Sequence, residues 1–469
     1  MRRPYLLLQS FAFVLILAFA IIPASAQEIS SDLQQKIDKL ASDTLARTGV
    51  PSASVAIVKN GQVVYTKAYG DARLDPKTQA TPEMRYSIGS ISKQFTAAAI
   101  LLLAEQGKLS LDDKVAKFIP NLTRANEVTI RQLLSHTSGY QDYWPQDYVM
   151  PGMLVPTTAQ QIVDGWAKKP LDFEPGTKWQ YSNTNYVIAG LIVEKVAGVP
   201  LIDFLHTRIF TPLQMKSVSN IDAAGLGPSD AAGYMRVALA PVRPAPKEAQ
   251  GWLFAAGELA MTARDLALWD ISVINHTVLK PASYQVQQTD MLLKSGVATQ
   301  YGLGVQVNVS GGRRRIAHGG EVSGYTTRNE IYPDDKAAIV VFTNLDATGA
   351  SSQIATRIAN TIFGSVDLES KNALVQAKAI FAGLQKGTIK ASLFSDNAKA
   401  YFSQDALADF QSSLGKLGSP TEFVQTGSAL RGGMTLRTFR IRAGGRIMNL
   451  TAFWLSSGLL EQYQVARAE

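Results

Sequence analysis

Hydrophobic residues recur with two different periods along the chain, and the period changes with position. Leu33, Ile37, Leu40 and Leu45 have helical spacing, and the glycine and proline at 49–51 end that helix. Two strand-like runs, 54–59 and 63–69, then flank an Asn-Gly pair that favours a tight hairpin turn. The pattern therefore predicts a helix over 31–47 followed by antiparallel strands.

The middle of the chain, residues 89–275, is mostly helical in pattern, and strand patterns return after it. The predicted helices are 90–106, 130–135, 158–167, 184–197, 202–210 and 263–274. The predicted strands are 302–309, 315–318, 329–332 and 337–343, and a helix at 351–363 follows them. Because strands from both ends must meet in one sheet, we expect the helical block to form an inserted lobe, with a cleft beside it.

Beyond residue 368 the pattern changes to short helices followed by four alternating strands. Helices are predicted at 372–384 and within 396–417, and strands at 422–430, 434–441, 446–454 and 459–465. Glycine-rich turns separate the strands. We therefore predict an α+β chain with a main domain over 27–367 and a second, smaller α+β domain over 368–469. The smaller domain contains no histidine and is assigned no catalytic role.

The first 26 residues have the pattern of an export signal. Two arginines precede an apolar run at 6–22, and a triplet of small residues at 24–26 fits a cleavage site. We predict cleavage after Ala26 and a periplasmic or secreted mature protein without a stable membrane anchor. An uncleaved anchor is the alternative, although polar residues and a proline interrupt the apolar run.

Composition narrows the possible chemistry. The 469 residues are 46% hydrophobic and 18% charged, which is typical of a globular protein. The absence of cysteine excludes disulfides, thiolate metal sites and cysteine nucleophiles. Four histidines form no metal-binding pair, so we predict no metal and no cofactor. The net charge of +8 comes without a basic stripe, and we predict no nucleic-acid partner.

The main candidate for catalysis is Ser90-Ile91-Ser92-Lys93, at the start of a predicted helix. Three residues make about one helical turn, so the Lys93 amine can lie beside the Ser90 hydroxyl. A backbone N–H at a helix start can also stabilise an oxyanion. However, a lysine accepts a proton only where burial or a nearby cation lowers its pKa. The motif alone is weak, since Ser413 and Lys416 repeat it and an N-capping serine explains it equally well.

Two further motifs give this serine its context: Tyr181-Ser182-Asn183 and His318-Gly319-Gly320. Together the three motifs resemble the signature elements of the penicillin-recognising serine hydrolases. That family includes class C β-lactamases, D-alanyl-D-alanine carboxypeptidases and related esterases and aminopeptidases. The segments 85–89, 133–139, 173–176 and 301–304 resemble the same family, so the likeness covers about residues 33–363. It implies a β-lactamase-like fold, with an antiparallel sheet flanked by helices and an inserted helical lobe.

The resemblance also implies roles for four side chains. Ser90 is expected to attack a carbonyl, and Lys93 and Tyr181 to relay the proton to the leaving group. A phenol titrates near pH ~10, so this relay requires Tyr181 to pack beside a cation. The Asn183 amide can donate to a substrate carbonyl and accept from a substrate amide.

The third motif differs from that of most β-lactamases, which have Lys-Thr-Gly where this chain has His318-Gly319-Gly320. Histidine is mostly neutral at pH 7, so peptidase or esterase activity is favoured over efficient β-lactam hydrolysis. If His318 holds a substrate carboxylate, affinity should fall as pH rises through about 6.5. Gly319 and Gly320 would let a strand edge approach the ligand, and the N–H of Glu321 would be a second oxyanion donor by analogy.

We therefore expect an exported serine hydrolase that acts on a small molecule or peptide with a hydrolysable carbonyl. A D-alanyl peptide, an ester and a β-lactam all stay open as substrates. The alternative is a non-catalytic penicillin or cell-wall sensor that is acylated at Ser90 without turnover. The small domain resembles the nuclear-transport-factor-like superfamily in strand order and is expected to cover the cleft or mediate dimers. Whether the chain is a monomer or a homodimer stays open.

Overall fold

The computed structural model describes residues 29–146, 148–363 and 368–468. The predicted signal peptide, residues 1–26, lies outside these ranges. Within them, no helix combines the length and the apolar character needed to cross a membrane. The chain divides into two compact units between Ile362 and Phe363.

The first unit is built on a seven-stranded antiparallel sheet, in the order β3-β2-β1-β12-β11-β10-β9. The strands of this unit are β1 (Ser52–Lys59), β2 (Gln62–Leu74), β3 (Lys77–Gln79), β4 (Tyr86–Ser87), β5 (Ser219–Asn220), β6 (Tyr234–Met235), β7 (Arg243–Pro244), β8 (Leu259–Met261), β9 (Gln306–Ser310), β10 (Arg313–Val322), β11 (Tyr325–Tyr332) and β12 (Ala337–Thr343). Strands β1 and β12 pair in the middle of the sheet, with Val55 opposite Val341. The prediction that strands from both ends of the region share one sheet is confirmed.

The helices of this unit lie mostly between the two sets of strands in the sequence, with one helix before β1 and one after β12. They are α1 (Ser31–Thr48), α2 (Lys93–Glu105), α3 (Ile130–Leu134), α4 (Ala159–Ile162), α5 (Asn183–Ala197), α6 (Leu201–Leu205), α7 (Ile221–Ala224), α8 (Ala263–Asn275), α9 (Pro281–Gln287) and α10 (Ala350–Phe363). Helix α2 is buried from Lys93 to Leu103, and α5 and α6 pack against it. A helix that is apolar around its whole circumference belongs inside a core, and α2 is the central helix of this unit.

The segment before α2 differs from its prediction. Residues Gly89–Ser92 form a 3₁₀ turn, and the α-helix begins only at Lys93, not at residue 90. Gly89 has φ +51°, a left-handed conformation that favours glycine. Its backbone lies so close to β10 that an added Cβ would sit 2.9 Å from the nitrogen of Glu321. The turn is therefore fixed against the edge of the sheet.

Strand β10 is longer than predicted, since it continues past residue 318 to Val322. Its last residues pair with β11, with Gly320 opposite Thr327. A Cβ on Gly320 would lie 1.9 Å from the carbonyl oxygen of Ile88. Glycine is unfavourable inside a strand, yet here it allows the strand to pass directly beside the turn.

Within residues 368–468, the second unit has three α-helices and one antiparallel sheet. The helices are α11 (Leu368–Leu384), α12 (Asp396–Tyr401) and α13 (Gln404–Leu414), and the strands are β13 (Glu422–Arg431), β14 (Met434–Ala443), β15 (Arg446–Trp454) and β16 (Leu460–Arg467). The strands are ordered β13-β14-β15-β16, each beside its sequence neighbour. Tyr463 donates to the carbonyl of Ala377 and Trp454 donates to Gln376, which ties the sheet to α11. This unit has its own hydrophobic core.

We expect the substitution Gly320→Ala to destabilise the protein by about 1–3 kcal/mol, the usual effect of overpacking a tight contact. The reason is the 1.9 Å approach of a Cβ to the Ile88 oxygen. Gly319→Ala is the matched control, because its Cβ would meet nothing nearer than the Thr327 oxygen at 3.7 Å. Thermal unfolding measures both. Equal melting temperatures for the two variants would contradict the close approach.

Candidate active site

Ser90 lies in the 3₁₀ turn, at the wall of a cavity of about 560 Å³. The turn is anchored on both sides of the serine. The N–H of Ile88 donates to the carbonyl of Leu259 at 3.0 Å, and the hydroxyl of Ser92 accepts the Leu259 N–H at 3.2 Å. These contacts hold the Ser90 hydroxyl at a fixed place beside the cavity.

Lys93 directs its amine at Ser90 from inside the protein. Its Nζ donates to Ser90 Oγ at 2.9 Å, to Asn183 Oδ1 at 2.8 Å and to the carbonyl oxygen of Ala256 at 2.9 Å. Lys93 is 0% exposed, and burial lowers its pKa to about 7, although the charge of Asp142 acts in the opposite direction. Burial thus favours the neutral amine near pH 7, and a neutral amine can accept the Ser90 proton over the same contact.

Tyr181 lies on the other side of the serine, just before α5. The Lys93 amine is 4.9 Å from the centre of the Tyr181 ring. Burial raises the pKa of Tyr181, and a hydrogen bond with Ser90 opposes that rise. The phenol therefore keeps its proton at neutral pH and is suited to donate it. The relay through Lys93 and Tyr181 stays a prediction.

The ring of His136 packs against the ring of Tyr181. The two rings are 4.3 Å apart, and Nδ1 of His136 accepts the N–H of Ser182 at 3.1 Å. Burial lowers the pKa of His136 well below its usual value, so the ring is neutral. It ties its loop to the start of α5, which is a structural task.

Asn183 connects Lys93 to a carboxylate for which no sequence signal stood out. Asp142 Oδ1 accepts the backbone N–H of Asn183 at 2.9 Å, and Asp142 Oδ2 accepts from Asn183 Nδ2 at 3.3 Å. Asp142 lies on a loop after α3 and lines the same cavity. The segment around it has no helical or strand period, so only the fold brings it to Asn183.

The end of β10 forms the opposite side of the site. Strand β9 begins at Gln306, which lies opposite Ala317. Residues 318–322 of β10 are therefore paired only with β11. The Glu321 nitrogen lies next to Gly89, one residue before the serine, and the Glu321 side chain accepts from the N–H of Ala347 at 2.8 Å. The predicted donors on Ser90 and Glu321 are thus brought to neighbouring backbone positions.

The role of His318 as an anchor for a substrate carboxylate stays a prediction, and the surroundings of the ring disfavour its charged form. The ring is 3% exposed, with Nδ1 donating to the Gly319 carbonyl at 2.5 Å and Nε2 accepting from the Tyr301 hydroxyl at 2.8 Å. Burial, together with the charge of Lys93, lowers the pKa of His318 to about 3. This environment favours the neutral ring, which argues against the titration near pH 6.5 that a carboxylate-binding role would require.

The guanidinium group of Arg328, in strand β11, lies beside Gly319 of strand β10. Arg328 is opposite Gly319 in β11, and its Nη1 is 3.9 Å from the position of a Cβ on that glycine. Arg328 and Arg315 both contact one carboxylate, Glu330, at 2.9 and 2.8 Å. Two guanidinium groups against one carboxylate leave a net positive charge. Arg328 lines a second cavity of about 330 Å³ that also reaches Ser90.

The first cavity has the opposite charge. Its lining includes the carboxylates of Asp142, Glu321 and Asp346 and aromatic rings such as Trp144 and Trp179. Within the described residues, this lining contains no lysine or arginine. Nor does the described part of the chain contain a group of three or more histidine, aspartate and glutamate side chains that could hold a metal. The two cavities therefore offer different charges on either side of one serine.

Comparison with known proteins gives a family match. The family model described as β-lactamase matches residues 37–361. Protein flp of Staphylococcus aureus strain N315 is 31% identical over 331 residues, which cover 68% of this chain and 64% of that protein. The D-aminopeptidase of Brucella anthropi is 29% identical over 318 residues, covering 67% and 59%. The chain thus spans less than two thirds of the length of these curated relatives.

A solved structure gives the same result. The D-amino acid amidase of Ochrobactrum anthropi SV3 complexed with L-phenylalanine amide superposes with a TM-score of 0.63 at 27% identity. The match covers 71% of this chain and 99% of the amidase.

We expect kcat/KM for an uncharged ester to rise through one ionisation near pH 7 and then to stay level up to about pH 9. The neutral fraction of Lys93, whose pKa is about 7, grows over that range, whereas His318, with a pKa of about 3, does not titrate there. A pH profile at constant ionic strength measures this. A second inflection between pH 5 and 8, or a profile without any inflection, would contradict the assignment.

Proposed function

Because the chain belongs to the β-lactamase family of serine hydrolases, we propose that Ser90 attacks a substrate carbonyl and forms an acyl-enzyme. The single observation that carries this proposal is the 2.9 Å contact between the Ser90 hydroxyl and the buried Lys93 amine. Serine is a weak nucleophile until an adjacent base takes its proton. A lysine with a pKa of about 7 is such a base at neutral pH.

The proposed reaction has two halves. Lys93 takes the Ser90 proton as Oγ bonds to the carbonyl carbon, and the N–H groups of Ser90 and Glu321 receive the developing oxyanion. Tyr181 then gives its proton to the leaving group, whose bond to the carbonyl carbon breaks, and regains one from Lys93. In the second half a water molecule attacks the acyl carbon, which releases the acid and restores Ser90.

The charges around the serine favour amide or peptide substrates with a free amino group over β-lactams. The carboxylate-lined first cavity suits a cationic group. The neutral His318 leaves the third motif without the lysine cation of most β-lactamases. Related proteins are a D-aminopeptidase and a D-amino acid amidase. We therefore propose an aminoacyl amide or short peptide, with D-residues accepted, as the substrate class, and an ester as a usable surrogate.

The pattern of residues 1–26 supports export, which would place this hydrolase in the periplasm or outside the cell.

Replacing the nucleophile tests the proposed mechanism. We expect Ser90→Ala to lower kcat by at least about 1,000-fold on a nitrophenyl ester and on a D-alanyl anilide. Ser413→Ala is the control, because Ser413 belongs to the other Ser-x-x-Lys sequence and its hydroxyl only contacts the backbone in α13. Intact-mass spectrometry of the parent should show an acyl adduct that the Ser90 variant lacks.

Full activity of the Ser90 variant would overturn the proposed mechanism. A stable adduct on Ser90 without turnover of an ester, an anilide or a chromogenic cephalosporin would overturn the hydrolase and favour the sensor.

Substrate charge gives a second test. We expect Arg328→Gln to lower kcat/KM at least about 10-fold for a dipeptide with a free carboxylate, because a charge-assisted hydrogen bond contributes roughly 1.5–3 kcal/mol. The same dipeptide as its C-terminal amide is the control and should be hydrolysed as before. A loss of equal size on both substrates would show that Arg328 does not recognise the carboxylate.

A further inference from the structure

Asp142 lies on a loop, and its carboxylate accepts two hydrogen bonds from Asn183. It accepts both the backbone N–H and the side-chain Nδ2 of Asn183, at 2.9 and 3.3 Å, and also the N–H of Trp144 at 3.2 Å. It lies half-buried at the wall of the first cavity, on the far side of Asn183 from Lys93. Three donors thus converge on one carboxylate beside the proposed base.

These contacts decide which end of the Asn183 amide meets the lysine. An ionised carboxylate can only accept hydrogen bonds, so only Nδ2 can face Asp142. The other end, Oδ1, is then turned towards Lys93 Nζ at 2.8 Å. With the amide reversed, two donors would face each other at Lys93 and two acceptors at Asp142. Asp142 therefore fixes an acceptor in front of the amine.

Asp142 also acts on Lys93 through its charge. Burial disfavours the ammonium form of Lys93, and the negative charge of Asp142 favours it. The other titratable groups facing the amine are the phenols of Tyr181 and Tyr186, 4.9 and 5.4 Å from ring centre to Nζ, and the neutral rings of His136 and His318. None of these four groups is negatively charged at neutral pH, so they cannot replace the carboxylate.

We propose that Asp142 is a positioning residue that holds the Asn183 amide with Oδ1 towards Lys93 and places a negative charge one side chain away from that amine. This inference rests on the proposed function, because it assumes that Lys93 is the base for Ser90. Asp142 touches neither the reacting hydroxyl nor the amine, and it acts through its hydrogen bonds to Asn183 and through its charge. Substitution of Asp142 should therefore change both the pH midpoint of kcat/KM and its maximum value.

The substitution Asp142→Asn tests this role. Removing the charge should move the rising limb of kcat/KM to lower pH by roughly half a unit to one unit, since an anion near a lysine raises its pKa. The maximum should fall about 10-fold or more, because one end of the new amide would oppose the Asn183 donors. Asp142→Glu should return the midpoint towards that of the parent, since it restores the charge.

Asp172→Asn is the matched control. Asp172 is exposed and accepts from the side-chain amide of Gln180 at 2.8 Å, so its substitution also removes one charge and one carboxylate–amide bond. It makes no contact with Lys93 or Asn183, and its midpoint should equal that of the parent. A rate loss in Asp142→Asn with an unmoved midpoint would overturn the proposal and leave Asp142 a purely structural residue.

A substrate-independent readout separates this inference from the proposed function. The rate at which a fluorophosphonate labels Ser90 can be followed against pH in the parent, Asp142→Asn and Asp142→Ser. If labelling of the parent has no rising limb, Lys93 is not the base, and both the proposed function and this inference fail. If the parent has the limb and neither folded Asp142 variant shifts it, this inference alone fails. Asp142→Ser serves if the asparagine variant does not fold.

Discussion

The removal of one lysine from water governs the arrangement of the active site. Lys93 is fully buried, and its three ammonium hydrogens reach acceptors on three separate segments: Ser90 in the turn, Asn183 at the start of α5 and the carbonyl of Ala256. An unpaired buried charge is destabilising by several kcal/mol. The three acceptors offset part of that free-energy penalty. The part that they do not offset lowers the pKa of Lys93. The turn, the helical lobe and the loop around Ala256 therefore meet at this amine.

Burial has one common effect on the ionisable groups around Ser90. It lowers the pKa of Lys93 to about 7 and that of His318 to about 3, and it raises the pKa of Tyr181. Each group is thus shifted towards its uncharged form, which places a proton acceptor and a proton donor on either side of one hydroxyl. Burial also raises the pKa of Asp142, although hydrogen bonds from Trp144 and Asn183 oppose that rise, and the guanidinium charge of Arg328 lies beside the second cavity. The uncharged groups beside Ser90 suit proton transfer, and the charged groups that line the two cavities suit recognition of a charged substrate.

Sequence periodicity predicted most of the fold, and the β-lactamase-like α+β class and the family are confirmed. Periodicity gave wrong bounds where two backbone segments pack closely together. These segments are the strand that continues through Gly319 and Gly320 and the 3₁₀ turn before Lys93. The motif residues do lie together, although their roles are still proposals. Asp142 and Arg328 escaped prediction because only long-range packing brings them to the site. The burial of His318 could not be inferred from the motif, because it depends on the packing of segments that are distant in the sequence.

Direct titration of Lys93 tests the central claim most closely. In protein labelled with ¹³C at the ε-carbon of lysine, one resonance should titrate near pH 7 and be missing from a Lys93→Arg variant, in line with the pKa of about 7. An exposed lysine amine, which titrates near pH ~10.4, provides the reference value. If the resonance assigned to Lys93 also titrates near that value, the amine is a permanent cation. The account of Ser90 activation would then be wrong.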